Sequence, residues 1–275
     1  MKTGIFLLLL GFVMGTGFAG ELPTSLTADE IVRKANHMTL YQGQDSKGQI
    51  DMEIVDKQGR IRKRNFNILR LDNGPQDEDQ KYFVFFQSPA DVRKMVFLVH
   101  KHSASEKDDD RWMYLPSLDL VKRIASGDKR TSFVGSDFLY EDISGRSPDE
   151  DEHELVETTD EYYVIKNMPK NPSKVEFEYY TAYIDRKTFL PIRIDYFKKE
   201  DRLYRVIETV KTEEIQAKEN DSIVTYPTVT MSIAKDLETM SKTRMMFSDV
   251  RYNIGLSDKI FTERYLRRPP RDAMR

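Results

Sequence analysis

The side chains that could do chemistry in this 275-residue chain are few, and most lack the neighbours that chemistry requires. There is no cysteine, which removes thiolate nucleophiles, disulfides and sulfur ligands together. Ser136 stands in Val134-Gly135-Ser136-Asp137, without the second glycine of a nucleophile elbow. Neither a phosphate-cradling loop nor a dinucleotide fingerprint is present. Among four histidines only His100 and His102 are close. On a strand that spacing puts both on one face, but two ligands do not make a metal site. Asp108-Asp109-Asp110 lacks the glycine turn and distal glutamate of a calcium loop and reads as a solvated turn. Asp137 and Glu141, four residues apart, would share one face of a helix and could run acid–base hydrolysis if a partner stood opposite. No partner is marked, and capping of a helix start is the stronger account of Asp137. These residues therefore imply no cofactor and no metal.

The N-terminal residues place Lys2 ahead of the apolar stretch 5–14, with Gly17 and Ala19 at the −3 and −1 positions of a peptidase site. Residues 1–19 read as a cleaved signal peptide, too short for a good membrane span, and residues 20–275 as one mature unit beginning at Gly20. The 43 basic and 46 acidic residues, a net −3, give no electrostatic case for nucleic-acid binding. A mature chain of roughly 255 residues is long enough to build a core without disulfides. With no second long apolar stretch it is expected as a soluble protein of the periplasm.

The elements that must position any site follow from periodicity. Leu26-Thr27-Ala28-Asp29-Glu30-Ile31 is a complete helix start, with Thr27 as N-cap, Glu30 as its capping-box partner, and Leu26 with Ile31 as hydrophobic staple. A helix is predicted over 28–38, with Ile31, Ala35 and Met38 along one stripe. The period then changes to two. Ile50, Met52 and Ile54 alternate with acids, and the turn at 56–59 leads into a second strand over 60–71, giving a hairpin. Residues 82–86 and 95–99 are apolar at every position, so both faces of these strands must be covered. Strict alternation returns at 175–179 and 192–196, and further strands are predicted over 162–166, 203–210, 229–233 and 243–252. About ten strands at hairpin spacing make a mainly β protein, an antiparallel barrel or strongly curved sheet. The acidic stretches 77–79 and 149–152 read as solvated loops.

One face of the alternating strands is rich in aromatic residues and methionine: Phe177, Tyr179, Tyr196, Met231, Met245 and Phe247, with Ile192 and Ile194 in phase. Such side chains adapt to ligands of varying shape. They equally fit the packed core of a sandwich, and the pattern does not choose.

The most specific stretch combines Trp112, Tyr114, Leu115 and Pro116 with Arg123, and then with Gly135-Ser136-Asp137, Tyr140 and Asp142. It resembles the signature of the outer-membrane lipoprotein-sorting protein family in its broad, LolA-like sense. The branch is the one that accompanies inner-membrane exporters of the RND/MMPL type, and Ser88-Pro89-Ala90-Asp91-Val92 fits it too, although Lys94 stands where that branch commonly has glycine. The resemblance implies a curved, incomplete β-barrel with an N-terminal helix and short lid helices. It also implies a cavity for acyl chains of lipids or lipoproteins, carried across the envelope with no reaction performed. On that footing the aromatic and methionine face becomes a candidate cavity lining. Phe133, Gly135, Phe138, Leu139 and Ile143 become a candidate lid, although ordinary packing of a helix on a sheet would use the same residues. Trp112 is expected at a sheet edge beside that lid. The arginines at 264, 267, 268, 271 and 275 form either a frayed solvated tail or a surface that docks on anionic headgroups or on an acidic exporter face, and truncation after Arg264 is expected to leave the fold intact. Two other classes remain: an envelope sensor or anchor on the same fold, and a hydrolase using Asp137 and Glu141.

Overall fold

A computed structural model describes residues 26–74, 77–104 and 107–274. The expected signal peptide, the cleavage site before Gly20, and Arg275 lie outside these residues. The first helix, α1 (Ala28–Asn36), begins as its sequence dictates. Thr27 Oγ1 accepts the Glu30 N–H at 3.3 Å, and Glu30 returns the bond by accepting the Thr27 N–H at 2.8 Å. Ile31 and Ala35 are buried, with Leu26 packed beside them. The helix stops at Asn36 and continues as a π-helical turn, His37–Tyr41, which redirects the chain toward the first strand.

Thirteen strands follow among the described residues. They are β1 (Asp45–Val55), β2 (Ile61–Asn73), β3 (Asp79–Ser88), β4 (Val96–Lys101), β5 (Asp110–Leu115) and β6 (Leu120–Ile124), then β7 (Asp151–Thr158), β8 (Tyr162–Pro169), β9 (Tyr179–Asp185), β10 (Pro191–Lys198), β11 (Arg202–Glu219), β12 (Ser222–Asp236) and β13 (Ser241–Tyr252). They form one antiparallel sheet in the order β6-β5-β4-β3-β2-β1-β13-β12-β11-β10-β9-β8-β7. Every neighbouring pair but one is sequential, so the sheet is two meanders joined where β1 pairs with β13. It does not close, because β6 and β7 are its free edges. The count exceeds ten because β5 and β6 lie within the signature stretch, and β7 grows out of the acidic run at 149–152. Asp151 in that run is buried rather than solvated, held by both Nε and Nη2 of Arg146 at 2.8 Å. The strand expected at 175–179 starts only at Tyr179. Pro172 opens a 3-10 turn (Pro172–Lys174), and the irregular residues after it are drawn toward Arg130, as described below.

This topology fixes the position of the connection between the meanders. Since β6 and β7 are opposite edges, residues 125–150 must travel across a face of the sheet, and they carry α2 (Tyr140–Ser144) with them. On the other face the chain beyond β13 folds back over β2–β4, ending in the short helices α3 (Arg264–Arg267) and α4 (Arg271–Met274).

The doubly apolar strands β3 and β4 are thus covered twice, as their sequences require. Tyr82, Val84, Phe86, Phe97 and Val99 pack on the inner side with Phe133 and Phe138 of the crossover. Phe83, Phe85, Val96 and Leu98 pack on the outer side with Ile260, Phe261, Leu266 and Ala273. The C-terminal segment is therefore packed rather than frayed: Leu266 and Ala273 are fully buried, and Asn67 Nδ2 donates to the Ala273 carbonyl at 2.9 Å.

Candidate functional site

A cavity of about 410 Å³ lies between the inner face of the sheet, α1 with its π-helical turn, and the crossover. Nine adjacent strands contribute to its wall, from Tyr82 on β3 through Ile50, Met245 and Ile207 to Asn167 on β8. Laid flat, nine strands span ~38 Å at the usual spacing, so the sheet must curl tightly to bring all of them to one space. Bulges at Lys47/Gln49, Pro191/Arg193 and Thr209/Lys211/Thr212 supply local bending and twist. The wall is mostly apolar, formed by isoleucines, Phe66, Phe138, Met245 and Phe247.

The π-helical turn is tied to the sheet by Arg70, a buried residue of β2. Its guanidinium donates to the carbonyls of Leu40, Gln42 (2.6 Å) and Gly43 (2.5 Å), and pairs with Asp72 at 3.0 Å. These are the carbonyls a helix end leaves without partners.

The crossover is fastened at both ends by different means. At one end Phe133 stands among Phe66, Phe86, Phe97 and Tyr140, with ring centroids 5.6–6.0 Å away. At the other, Glu141 is buried among three cations, with Lys129 and Arg130 at 2.9 Å and Arg146 at 3.3 Å. Burial alone would raise its carboxyl, but Arg130, Arg146 and Lys129 outweigh burial and hold it down at about 2. Arg130 continues to Glu176 at 2.6 Å and lies over the rings of Phe177 and Tyr196. Tyr180 donates its hydroxyl to Asp151 at 2.8 Å.

The signature residues between these ends act as anchors. Gly135 has φ +75°, a turn that side chains resist, and its carbonyl accepts from Arg62 at 3.1 Å. Asp137 accepts from the hydroxyls of Ser241 and, at 2.6 Å, Thr243 on β13. Its carbonyl accepts from Arg205 at 3.1 Å, and Arg205 also pairs with Asp142. Asp137 is therefore not a helix cap. Nor does it share a helix face with Glu141, since α2 begins at Tyr140; Asp142 instead accepts the Leu139 N–H at 2.6 Å. Both carboxylates of the hydrolytic pair are committed to these contacts. Ser136 Oγ donates to the Phe138 carbonyl at 3.1 Å.

Of the residues expected to line a cavity, Ile194, Tyr196, Met245 and Phe247 do so. Phe177 is buried behind the wall, between Tyr180, Tyr196 and the Arg130 and Arg146 guanidinium groups. Tyr179 is on the outer face, stacked on Phe197 at 4.7 Å and bonded to Asp201, while Tyr180 takes the inner position. Ile192 lies in the bulge between Pro191 and Arg193 and does not reach the cavity. Met231 pairs with Met246, whereas the neighbouring pair Ser232 and Met245 faces inward, so Met231 points away. Of the lid set, Phe138 and Ile143 line the cavity, Phe133 belongs to the solid core, Leu139 is half-buried and Gly135 is exposed. Trp112 stands on β5, next to the edge strand, but faces outward among the residues covered by the C-terminal segment, against His100 at 5.1 Å. The inward residues beside it are Arg111 and Met113, so Trp112 is not beside the crossover. Leu115 and Pro116 end β5 and open a 3-10 turn, Tyr114 lies under Arg267, and Arg123 pairs with Asp110. His100 Nε2 meets the Phe261 carbonyl at 2.8 Å, whereas His102 lies between Asp79 and Asp110. The cationic cluster around Glu141 and the Arg70 tie were not marked in the sequence by any period or motif.

Residues 78–268 match a family model described as an uncharacterized protein. Among curated proteins none matches the sequence. In structure the chain is similar to a DUF1329 family protein from Desulfovibrio piger, with 28% identity, a TM-score of 0.76, and coverage of 87% of this chain and 97% of the other. It is similar to a putative outer membrane lipoprotein-sorting protein domain from Vibrio parahaemolyticus at 24% identity and a TM-score of 0.74, covering 88% and 98%. A LolA superfamily protein from Nitrosomonas europaea shares the fold at 19% identity and a TM-score of 0.65, covering 88% and 100%.

Proposed function

The chain belongs to the family matched over residues 78–268 and is LolA-like, and from that premise we propose that it is a carrier that binds acyl chains of lipids or lipoproteins in the cavity under its crossover. The observation that supports this reading most is the apolar space itself. About 410 Å³, walled by isoleucine, phenylalanine and methionine, lies within the ~300–1,000 Å³ range of small-molecule sites. Each methylene buried there contributes ~0.8 kcal/mol, so a chain of several carbons is held without any covalent step. The crossover is the roof of this space, and its aromatic and ionic fastenings keep the roof in place.

The carrier works in the periplasm, delivered as a precursor whose residues 1–19 are removed, with residues 20–275 as a single binding unit. Its partner is an inner-membrane exporter of the RND/MMPL type. Export and cleavage rest on Lys2, the apolar stretch 5–14 and the small residues Gly17 and Ala19, and the exporter partner on the resemblance of residues 88–92 and of the signature. Native mass spectrometry of protein recovered from the periplasm is expected to show a co-purifying acyl lipid. Protein that emerges empty and displaces no fluorescent fatty-acyl probe at any concentration would defeat the carrier reading. Terminal sequencing of the same material is expected to begin at Gly20.

A further inference from the structure

Beside the acyl cavity lies a second recess of about 540 Å³, bounded by Arg33, His37, Tyr41, Lys101, His102 and Ser103 among others. Asn36 and Pro148 form part of both walls, so the two spaces meet where the π-helical turn faces the loop after α2. Whereas the cavity wall is mostly apolar, the recess is lined mostly by charged and hydrogen-bonding groups, the carboxylates Asp77 and Asp149 among them.

Lys101, the last residue of β4, is its unusual member. Only 3% of it is exposed, and its Nζ donates to the Ser144 carbonyl at 2.8 Å with the Tyr41 ring 5.8 Å away. Among the described residues no carboxylate forms an ion pair with it, and Asp109 and Glu141 act on it only from beyond contact distance. A neutral donor would satisfy Ser144 as well, whereas an ammonium buried without a paired anion carries a desolvation cost that a bound anion would offset. Burial pushes its pKa down to about 8 against the pull of Asp109 and Glu141, which leaves it charged at neutral pH. A Cβ placed on Gly145, a residue of the cavity wall, would come within 3.2 Å of Nζ, so the charge sits at the junction of the two spaces. The other cation, Arg33, is held at the rim by Asp149 at 2.6 Å, with both side chains largely exposed. Such a pair contributes little and exchanges readily for a ligand oxygen. Asp77 is engaged with His37 at 2.7 Å.

We propose that this recess receives the anionic head group of an acyl ligand whose chains fill the cavity, with Lys101 as the group that neutralises it and Arg33 assisting at the rim. The assignment rests on the carrier reading and narrows its cargo to acyl molecules bearing a phosphate or carboxylate near the chain.

The test compares an alkyl phosphate with the alcohol of the same chain length, by displacement of a fluorescent acyl probe. The wild-type protein is expected to bind the phosphate at least about tenfold more tightly, the size of one charge-assisted hydrogen bond. Lys101→Gln keeps a donor for Ser144 and is expected to bring the phosphate down to the alcohol's affinity while leaving the alcohol unchanged. Arg33→Gln, an exposed change that does not endanger folding, gives a smaller loss of the same kind. Equal wild-type affinities for the two probes, or equal weakening of both by Lys101→Gln, would overturn the head-group assignment and leave the carrier standing. If neither probe binds, the carrier reading falls first. Inorganic phosphate alone is expected to bind far more weakly than the alkyl phosphate; equal affinity would make the recess a free-anion site and overturn the proposal.

Discussion

The same sheet serves two purposes at its two ends. Around β2–β4 both faces are apolar, phenylalanines fill the space between sheet and crossover, and the C-terminal helices close the back. From β8 through β13 and on across β1 to the inner edge of β2 and β3, the inner face looks onto an open cavity, and the crossover is held over it by charge, with Glu141, Asp142 and Asp151 each answered by an arginine. Close packing excludes ligand, whereas a covering segment held by ion pairs leaves space beneath it. Glu141, Asp142 and Arg146 themselves form part of the cavity wall, so the ionic anchors frame the space they cover.

Phe133→Ala attacks the solid end and is expected to cost about 3–5 kcal/mol in denaturant unfolding, since Phe133 is fully buried among four rings. Glu141→Gln attacks the ionic end. It leaves Lys129, Arg130 and Arg146 with less negative charge than they need, and is expected to cost about 3 kcal/mol or more. The two ends also differ in pH response. The Glu141 carboxyl lies at about 2 in the folded chain against an ordinary 4.5, so the stability it supplies is present above pH 4.5 and is lost as pH falls through about 2. Acid unfolding of the wild type is expected to flatten in that window in Glu141→Gln and to keep its shape in Phe133→Ala.

Leu266→Ala on the outer cover is expected to cost about 2–5 kcal/mol and to shift the emission of Trp112, which packs in the same cluster. Met245→Ala, in the cavity wall, is expected to cost less than the ~2 kcal/mol typical at a filled site, because its neighbours already face open space, while acyl-probe affinity falls several-fold. A loss as large as that of Phe133→Ala would erase the distinction between the ends. The smallest expected effect is none: Trp112 emission stays constant when an acyl ligand is titrated, because this residue faces away from the cavity. A ligand-dependent shift would mean that the two faces are coupled.

Much of this arrangement was legible in the sequence. The Thr27–Glu30 cap, the alternation at Ile50, Met52 and Ile54, and the double apolarity of β3 and β4 each reflect a local rule that the fold obeys. Phase was lost wherever a bulge intervenes. The slips at Pro191/Arg193 and Thr209/Lys211/Thr212 change which side chains face in, so Ile192 and Met231 missed the wall that Ile194 and Met245 reach. Tyr180 replaced Tyr179 because the strand begins two residues past Phe177 rather than running through it. The charge cluster was illegible for a different reason. Lys129, Arg130, Glu141, Arg146 and Glu176 meet only because the crossover brings residues from separate segments together, and no spacing within one element encodes that. At the C-terminus the arginines dominate the sequence, whereas the packing is done by Leu266 and Ala273, which no period marks.

The single non-sequential pairing, β1 with β13, has a kinetic consequence. Each meander can zip from its own hairpins with short loops, but residues 46–55 meet residues 242–252 only after nearly the whole chain has been brought round. Loop-closure entropy makes so distant a pairing slow to nucleate, and contact order ranks it last. The cavity takes wall from both sides of that seam, so it does not exist until the seam has formed. Competence to hold a ligand is thus a late event in folding, and a partly folded chain has two sticky half-sheets and no place for cargo.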